Sequence, residues 1–251
     1  MDNVINSIKL ALRITTDAFN AELTDLYNAA LLDLGIAGVT NDDINDPLIL
    51  RAVITYVKLH FGQPDDYDRL KRSYDEQKAQ LSRDELIALC KEVGLTGRSG
   101  NGFDVSRKLE AFHKNGGTLI INAVECDPGL VTDSWLYRNK QSSIQQGAMI
   151  IKDALGLDKV ILATKEPLNT IDAIQQVKVI DRYPMGYEKY LIEYVLGVQI
   201  AENELPQDKG ILVMNLQTVI AIAEMTQGVL AGRYKYITVA NLFTGEATVA
   251  R

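Results

Sequence analysis

Cysteine and histidine are nearly absent. Cys90, Cys126, His60 and His113 are the whole supply in 251 residues. They are too few and too scattered for a zinc site or an iron–sulfur cluster, and no metal is expected. Two cysteines suffice for one disulfide, but two unpaired thiols in a reducing compartment is the expectation. An excess of basic residues is also lacking. The formal charge is −7, which argues against a general binder of nucleic acid or anionic membrane, and no sequence-specific nucleic-acid contact is expected. No run of about 18 apolar residues occurs, so no membrane span is expected. The start, MDNVINSIKL, has no basic stretch followed by an apolar one, so no signal peptide is expected and a cytoplasmic location is expected.

What is present falls into two parts. Residues 1–82 hold 8 basic and 13 acidic side chains, and residues 83–251 hold 18 and 20. The acidity is therefore concentrated in the first part. The hydrophobic pattern changes near Ser82, which gives two domains, 1–82 and 83–251.

Residues 1–82 read as helices. Ile5, Ile8 and Leu12 share one face of a first helix. Thr16 or Asp17 caps a second, with Phe19, Leu23, Leu26, Tyr27, Ala30, Leu31 and Leu34 as its buried stripe and Gly35 as its left-handed stop. Asp46–Pro47 opens a third through Phe61, closed by Gly62. Pro64-Asp65-Asp66 starts a fourth. No catalytic constellation is visible, and His60 reads as a packed or capping residue. The order FNAELTDLYNAALLDL, DPLILRAVITYVKLHFG, YDRLKRSYDEQKAQLS resembles the small head–tail connector (adaptor) proteins of tailed bacteriophages. That resemblance implies a ring-forming homo-oligomer in a virion, docked on portal or neck proteins through residues 1–82.

Residues 83–251 alternate strands with helices, the pattern of a largely parallel sheet. Ser82-Arg83-Asp84-Glu85 fits a capping box for a short helix to Val93. A helix is expected around Ser106–His113. Strands are expected at Thr118–Val124, Lys159–Ala163, Val177–Ile180, Ile211–Met214 and Tyr236–Ala240. Further helices are expected at Ser142–Leu155, Pro167–Gln176, Glu188–Leu196 and Gln217–Gln227.

Two stretches carry chemistry. Gly94–Phe103, GLTGRSGNGF, contains Gly97-x-x-Gly100-x-Gly102, and such glycines let several backbone N–H groups approach a phosphate. They precede the first clear strand, which disfavours an ordinary dinucleotide fingerprint. As a bare motif a structural loop is the competing reading. Asn122–Gly129, NAVECDPG, lies at a strand's carboxyl end, where ligands of open α/β sheets bind. Asp127 reads as a solvated turn carboxylate, Asp133 is open between that and a ligand contact, and Cys126 reads as a small packed residue. Asn215, at another strand end, either caps the next helix or meets a ligand.

Taken in order, GLTGRSGNGF, LIINAVECDPG, YPMGYEKYLI and ELPQDKGILVMNLQTVIAI resemble the flavin-binding core shared by the C subunit of the Rnf electron-transport complex and the NADH-oxidising flavoprotein of complex I. The resemblance runs from about Arg83 to Asn241. It implies a three-layer α/β domain of that type and an FMN pocket. By position it implies cofactor contacts from Gly97, Gly100, Gly102, Lys108, Asn122, Glu125, Glu188, Asn215 and Thr218. Ser99, Asn101, Asp104 and Trp135 depart from the family pattern, and Asn101 and Asp104 bring bulk and charge to the glycine loop. With two cysteines, no iron–sulfur cluster is expected in this polypeptide. Electrons would then pass to a separate redox protein or small molecule, as in a flavin-dependent electron-transfer component. The alternative is a phage neck protein whose α/β domain is a non-catalytic scaffold.

Overall fold

The structure is a computed structural model. It describes residues 1–251 except 1, 38, 40, 100, 101, 114, 115, 126, 169, 228–233 and 242, and the side chains of residues 2, 79 and 81 are also outside the description. The chain divides into two compact units, Met1–Leu86 and Ile87–Arg251. The first is an all-α bundle and the second a three-layer α/β domain.

In the first unit, α1 (Asp2–Leu12), α2 (Asn20–Ile36) and α3 (Pro47–His60) pack with the start of α4 (Tyr67–Glu92). Ile5, Ile8, Leu23, Ala30, Leu34, Ile49, Val53, Val57 and Tyr74 form their core. Each large apolar side chain there contributes about 1.5–3 kcal/mol. Asp46 caps α3 as its sequence requires, its carboxylate accepting from the Leu48 N–H at 2.8 Å, with Pro47 in the first turn. Tyr74 Oη and Lys78 Nζ both donate to Asp33, at 2.7 and 3.0 Å, joining α4 to α2.

Three helix ends differ from the sequence expectation. Thr16 and Asp17 belong to the preceding turn, where Asp17 accepts from Lys9 at 2.5 Å, and Phe19 occupies the cap position of α2. Gly35 lies inside α2, which stops at Ala37, because the buried Val39 bonds back to Leu34 at 3.1 Å. Helix α4 runs through Ser82 without a break. Ser82 does not cap a new helix; its hydroxyl donates to Ala37 O (2.9 Å) and to Lys78 O (3.0 Å), the back-bond by which serine fits a helix interior. His60 is exposed and its ring lies 4.3 Å from that of Tyr56.

The second unit is built on four parallel strands in the order β3-β2-β1-β4: β1 (Thr118–Ala123), β2 (Lys159–Thr164), β3 (Gln175–Lys178) and β4 (Ile211–Asn215). Strands β1, β2 and β4 are apolar on both faces, as a parallel sheet covered on both sides demands. On one face Ile120, Ala163, Ile211 and Val213 meet Leu191 and Ile192 of α8 (Glu188–Leu196). The other face carries α6 (Thr132–Asn139), α7 (Gln141–Leu155) and α9 (Leu216–Thr226). Gly147 lets α7 and α9 touch: a Cβ there would stand 2.1 Å from the Val219 carbonyl oxygen. Chain order reverses between β1 and β4, so the switch point of the sheet is the gap between their carboxyl ends.

No helix forms over the described residues of 167–176. Ile171 and Ile174 are buried as loop residues, and Tyr137 Oη holds both ends of the segment, 3.2 Å from Pro167 O and 2.6 Å from Gln176 Oε1. The strand that follows is accordingly earlier than expected, at Gln175–Lys178. The helix after the glycine loop, α5, is short, Val105–Glu110. Helix α6 was not expected, and β5 (Ile237–Ala240) pairs antiparallel with β6 (Ala247–Ala250) outside the main sheet. Among the described residues no helix is long and apolar enough to cross a membrane, and no group of three or more His, Cys, Asp or Glu could hold a metal ion.

Candidate functional site

A cleft of about 670 Å³ opens at the switch point. Six of the nine residues expected at a cofactor site line it: Gly97, Lys108, Asn122, Glu188, Asn215 and Thr218. Its apolar walls are Phe103, Val105, Val213 and Met214, and its outer end is formed by Tyr187, Lys189, Glu202, Glu204 and Leu205.

The glycine stretch is a closed loop. Thr96 and Asp104 form an isolated antiparallel bridge, and the Gly97 N–H donates to Phe103 O at 2.7 Å. That N–H therefore closes the loop. Gly102 holds φ 63°, a conformation that favours glycine. Gly100 and Asn101 lie outside the described residues. The Arg98 N–H donates to Thr218 Oγ1 at 3.0 Å, tying the loop to the first turn of α9. Asp104 does not line the cleft. It caps α5 instead, accepting from the Ser106 hydroxyl (2.7 Å) and N–H (2.9 Å), which hold its carboxyl below the usual range.

The two asparagines are register partners across β1 and β4. Asn122 Nδ2 donates to Gly186 O at 2.9 Å and Asn122 Oδ1 accepts from the Val124 N–H at 3.1 Å. This amide holds the segment before α8 against the end of β1. Asn215 Oδ1 accepts from the Gln217 N–H at 2.9 Å, so it caps α9, and its Nδ2 donates to Asp133 at 3.3 Å. Lys108 and Glu188 form an ion pair of 2.5 Å between α5 and α8, with the lysine the more buried partner.

Glu125 is not a wall of the cleft. It is buried under α6, where its carboxylate accepts from the Asp133 N–H at 2.8 Å and from the Ser134 N–H at 3.5 Å. A carboxylate at the start of a helix meets the positive end of the backbone dipole. Asp133, for which the sequence left a solvated turn and a ligand contact open, is 8% exposed. Burial first, and the neighbouring Glu125 charge second, push its carboxyl up to about 7. Asp127 is exposed, as expected. Cys90 is a buried free cysteine whose thiol burial pushes up to about 12, an unreactive core residue. Cys126 lies outside the described residues. Trp135 packs near Tyr236, ring centroids 6.1 Å apart, and does not line the cleft.

Three further residues shape the site. Gln217 is buried, and its amide bonds both the N–H (2.8 Å) and the carbonyl (3.1 Å) of Tyr236, docking the approach to β5 on α9. Gly186 supplies the carbonyl that Asn122 holds. Asp133 follows Thr132 in the first turn of α6, and a Thr-Asp-Ser run is a helix-start signal that would have placed that helix.

Parallel strands, helices on both faces and a cleft at the switch point define an open, doubly wound α/β domain. The sequence model of the Nuo51 FMN-binding domain matches residues 90–224, more than half the chain, and the chain belongs to that family. A model described as phage connector protein matches residues 4–86. The C subunit of the ion-translocating oxidoreductase complex of Vibrio cholerae is 30% identical over 171 residues, which cover 64% of this chain and 22% of the relative. The protein of the same name from Buchnera aphidicola subsp. Baizongia pistaciae is 30% identical over 154 residues, covering 57% of this chain and 30% of the relative. The matched stretch thus spans less than a third of either relative. An NAD+-reducing NiFe-hydrogenase in its air-oxidised state matches with a TM-score of 0.54 at 24% identity, over 59% of this chain and 31% of that one. It shares the fold.

Proposed function

We propose that residues 83–251 bind FMN in the switch-point cleft and act as an electron-transfer module. The observation that carries this reading is the convergence of Lys108, Asn122, Asn215 and Thr218, from four different elements, on one cleft between β1 and β4. The cleft volume lies in the range of about 300–1,000 Å³ that suits small ligands and cofactors. Its donor set suits a phosphorylated, partly apolar group. Lys108 supplies the cation for a phosphate, the first turn of α9 supplies a positive dipole end, and Val105, Val213 and Met214 supply walls for a flat ring. Asn122, Asn215 and Thr218 act mainly as struts: their polar atoms fix the loop, the α8 segment and the α9 cap that together form the walls. When bound, a flavin supplies one- and two-electron transfer, and the protein supplies position and field. The electrons would pass to and from a separate redox protein or a small molecule. Reconstitution with FMN followed by desalting tests this. Retention of visible flavin absorbance at one equivalent per chain is expected, and complete loss of flavin on desalting together with no quenching on titration would contradict it.

The connector match over residues 4–86 supports a second reading for the first unit, a self-associating interaction domain that docks on portal or neck proteins. Light scattering tests it. A defined oligomer is expected, and a monomer at every concentration, with or without such a partner, argues against it.

A further inference from the structure

Behind the cleft lies a carboxyl pair that the proposed function does not use. Asp133, in the first turn of α6, and Glu125, after β1, are each 8% exposed. Glu125 is met by the N–H groups of Asp133 and Ser134. Asp133 receives its hydrogen bond from Asn215 Nδ2 at 3.3 Å, and the same Asn215 lines the cleft. Asp133 therefore stands one side chain behind the wall. Burial and the Glu125 charge disfavour its ionised form, and Asn215 only partly offsets them. The charged groups of the elements around it are engaged elsewhere. Arg138 of α6 pairs with Glu166 at 2.5 Å, and Lys140, after α6, lies 3.8 Å from Glu224 of α9. Thr132 of α6 meets Thr238 of β5 at 2.8 Å, and the Gln217 amide of α9 is taken up by the backbone of Tyr236.

We propose that Asp133, acting through Asn215, is a positioning residue that makes the binding of an anion in the cleft take up a proton. This rests on the reading of the cleft as a site for FMN. An ionised Asp133 places a negative charge behind the wall that an incoming phosphate approaches. Protonation at its carboxyl oxygen, from solvent, removes that charge while leaving the Asn215 N–H an oxygen to bond. Anion and proton then favour each other by the same factor, as linkage requires. A ligand of the same shape without the phosphate feels the linkage far less.

The test is the affinity of the full chain for FMN and for riboflavin across the neutral range, in wild type and in Asp133→Asn. The variant keeps an acceptor for Asn215 and cannot titrate. The wild-type Kd for FMN, relative to that of Asp133→Asn, is expected to rise about fivefold as pH passes upward through neutrality. Riboflavin is expected to show little of that rise. Parallel FMN profiles in the two proteins overturn the proposal and leave FMN binding standing. An equal rise for riboflavin also overturns it. Absence of FMN binding at every pH overturns the reading beneath it as well. Should Asp133→Asn fail to fold, calorimetry of the wild type in buffers of different ionisation heat decides. Net proton uptake on binding FMN at slightly alkaline pH supports the proposal, and zero uptake overturns it.

Discussion

Asn122 and Asn215 stand side by side as register partners at the carboxyl edge of β1 and β4, and their amides reach in different directions. Asn122 ties the segment before α8 through Gly186, and Asn215 caps α9 and holds Asp133. Each wall of the cleft thus depends on one strand-end amide. Asn122→Ala removes the hydrogen bonds to the Gly186 carbonyl and from the Val124 N–H, at a cost of about 1–3 kcal/mol. A lowered Tm and at least tenfold weaker FMN binding are expected. Asn122→Asp, which still accepts from Val124 but cannot donate to Gly186, is expected to fall between. Thermal melts and fluorescence titration measure both effects.

Lys108 lines the cleft and is the cation proposed to meet a phosphate there. Hydrogen bonds to a charged group are worth about 1.5–3 kcal/mol. Lys108→Met is therefore expected to weaken FMN by tenfold or more and riboflavin by no more than about twofold. Equal losses for both ligands would show that Lys108 acts only through its ion pair with Glu188.

Gly147 sets the spacing of α7 and α9, and with it the position of the α9 first turn at the cleft. A methyl group at 2.1 Å from a backbone oxygen cannot be accommodated without moving a helix. Overpacking of this kind costs about 1–3 kcal/mol. Gly147→Ala is expected to lower Tm by several degrees despite alanine's better helix propensity. An unchanged or raised Tm in differential scanning calorimetry would refute this close approach.

Asp133 gives stability a pH dependence. Its carboxyl ionises near 7 in the folded state and in the ordinary aspartate range when unfolded. Between those values the unfolded chain has released the proton and the folded chain has not, so stability falls as pH rises from about 4 to about 7 and is level above that. The full effect is on the order of a few kcal/mol. In Asp133→Asn this contribution is expected to vanish, leaving the variant the more stable protein above neutrality. Urea melts of both proteins across this range measure it.

Much of this was legible in the chain. The continuous apolar run of β1 marked a buried strand, and Gly156 stops α7 in a left-handed conformation. The convergence of Lys108, Asn122, Glu188, Asn215 and Thr218 followed from the order of the motifs. What escaped depends on partners distant in sequence. Asp133 is buried because α6 sits over the sheet end, and its hydrogen-bond partner is 82 residues away. Glu125 is expected at the cofactor site, and it stands outside the cleft lining because α6 lies over it and its N–H groups meet the carboxylate. The helix expected over 167–176 does not form in its described residues, where the Tyr137 hydroxyl meets Pro167 at one end and Gln176 of β3 at the other. Ser82 carried a valid capping signal, and tertiary burial against Ala37 overrode it.

The gap between β1 and β4 as the seat of FMN is the claim on which the rest depends. Isothermal titration of the purified chain with FMN, repeated with Lys108→Met, tests it most directly. One site per chain in the wild type and a marked loss of affinity in the variant are expected. No binding by the wild type, or equal binding by both, contradicts it.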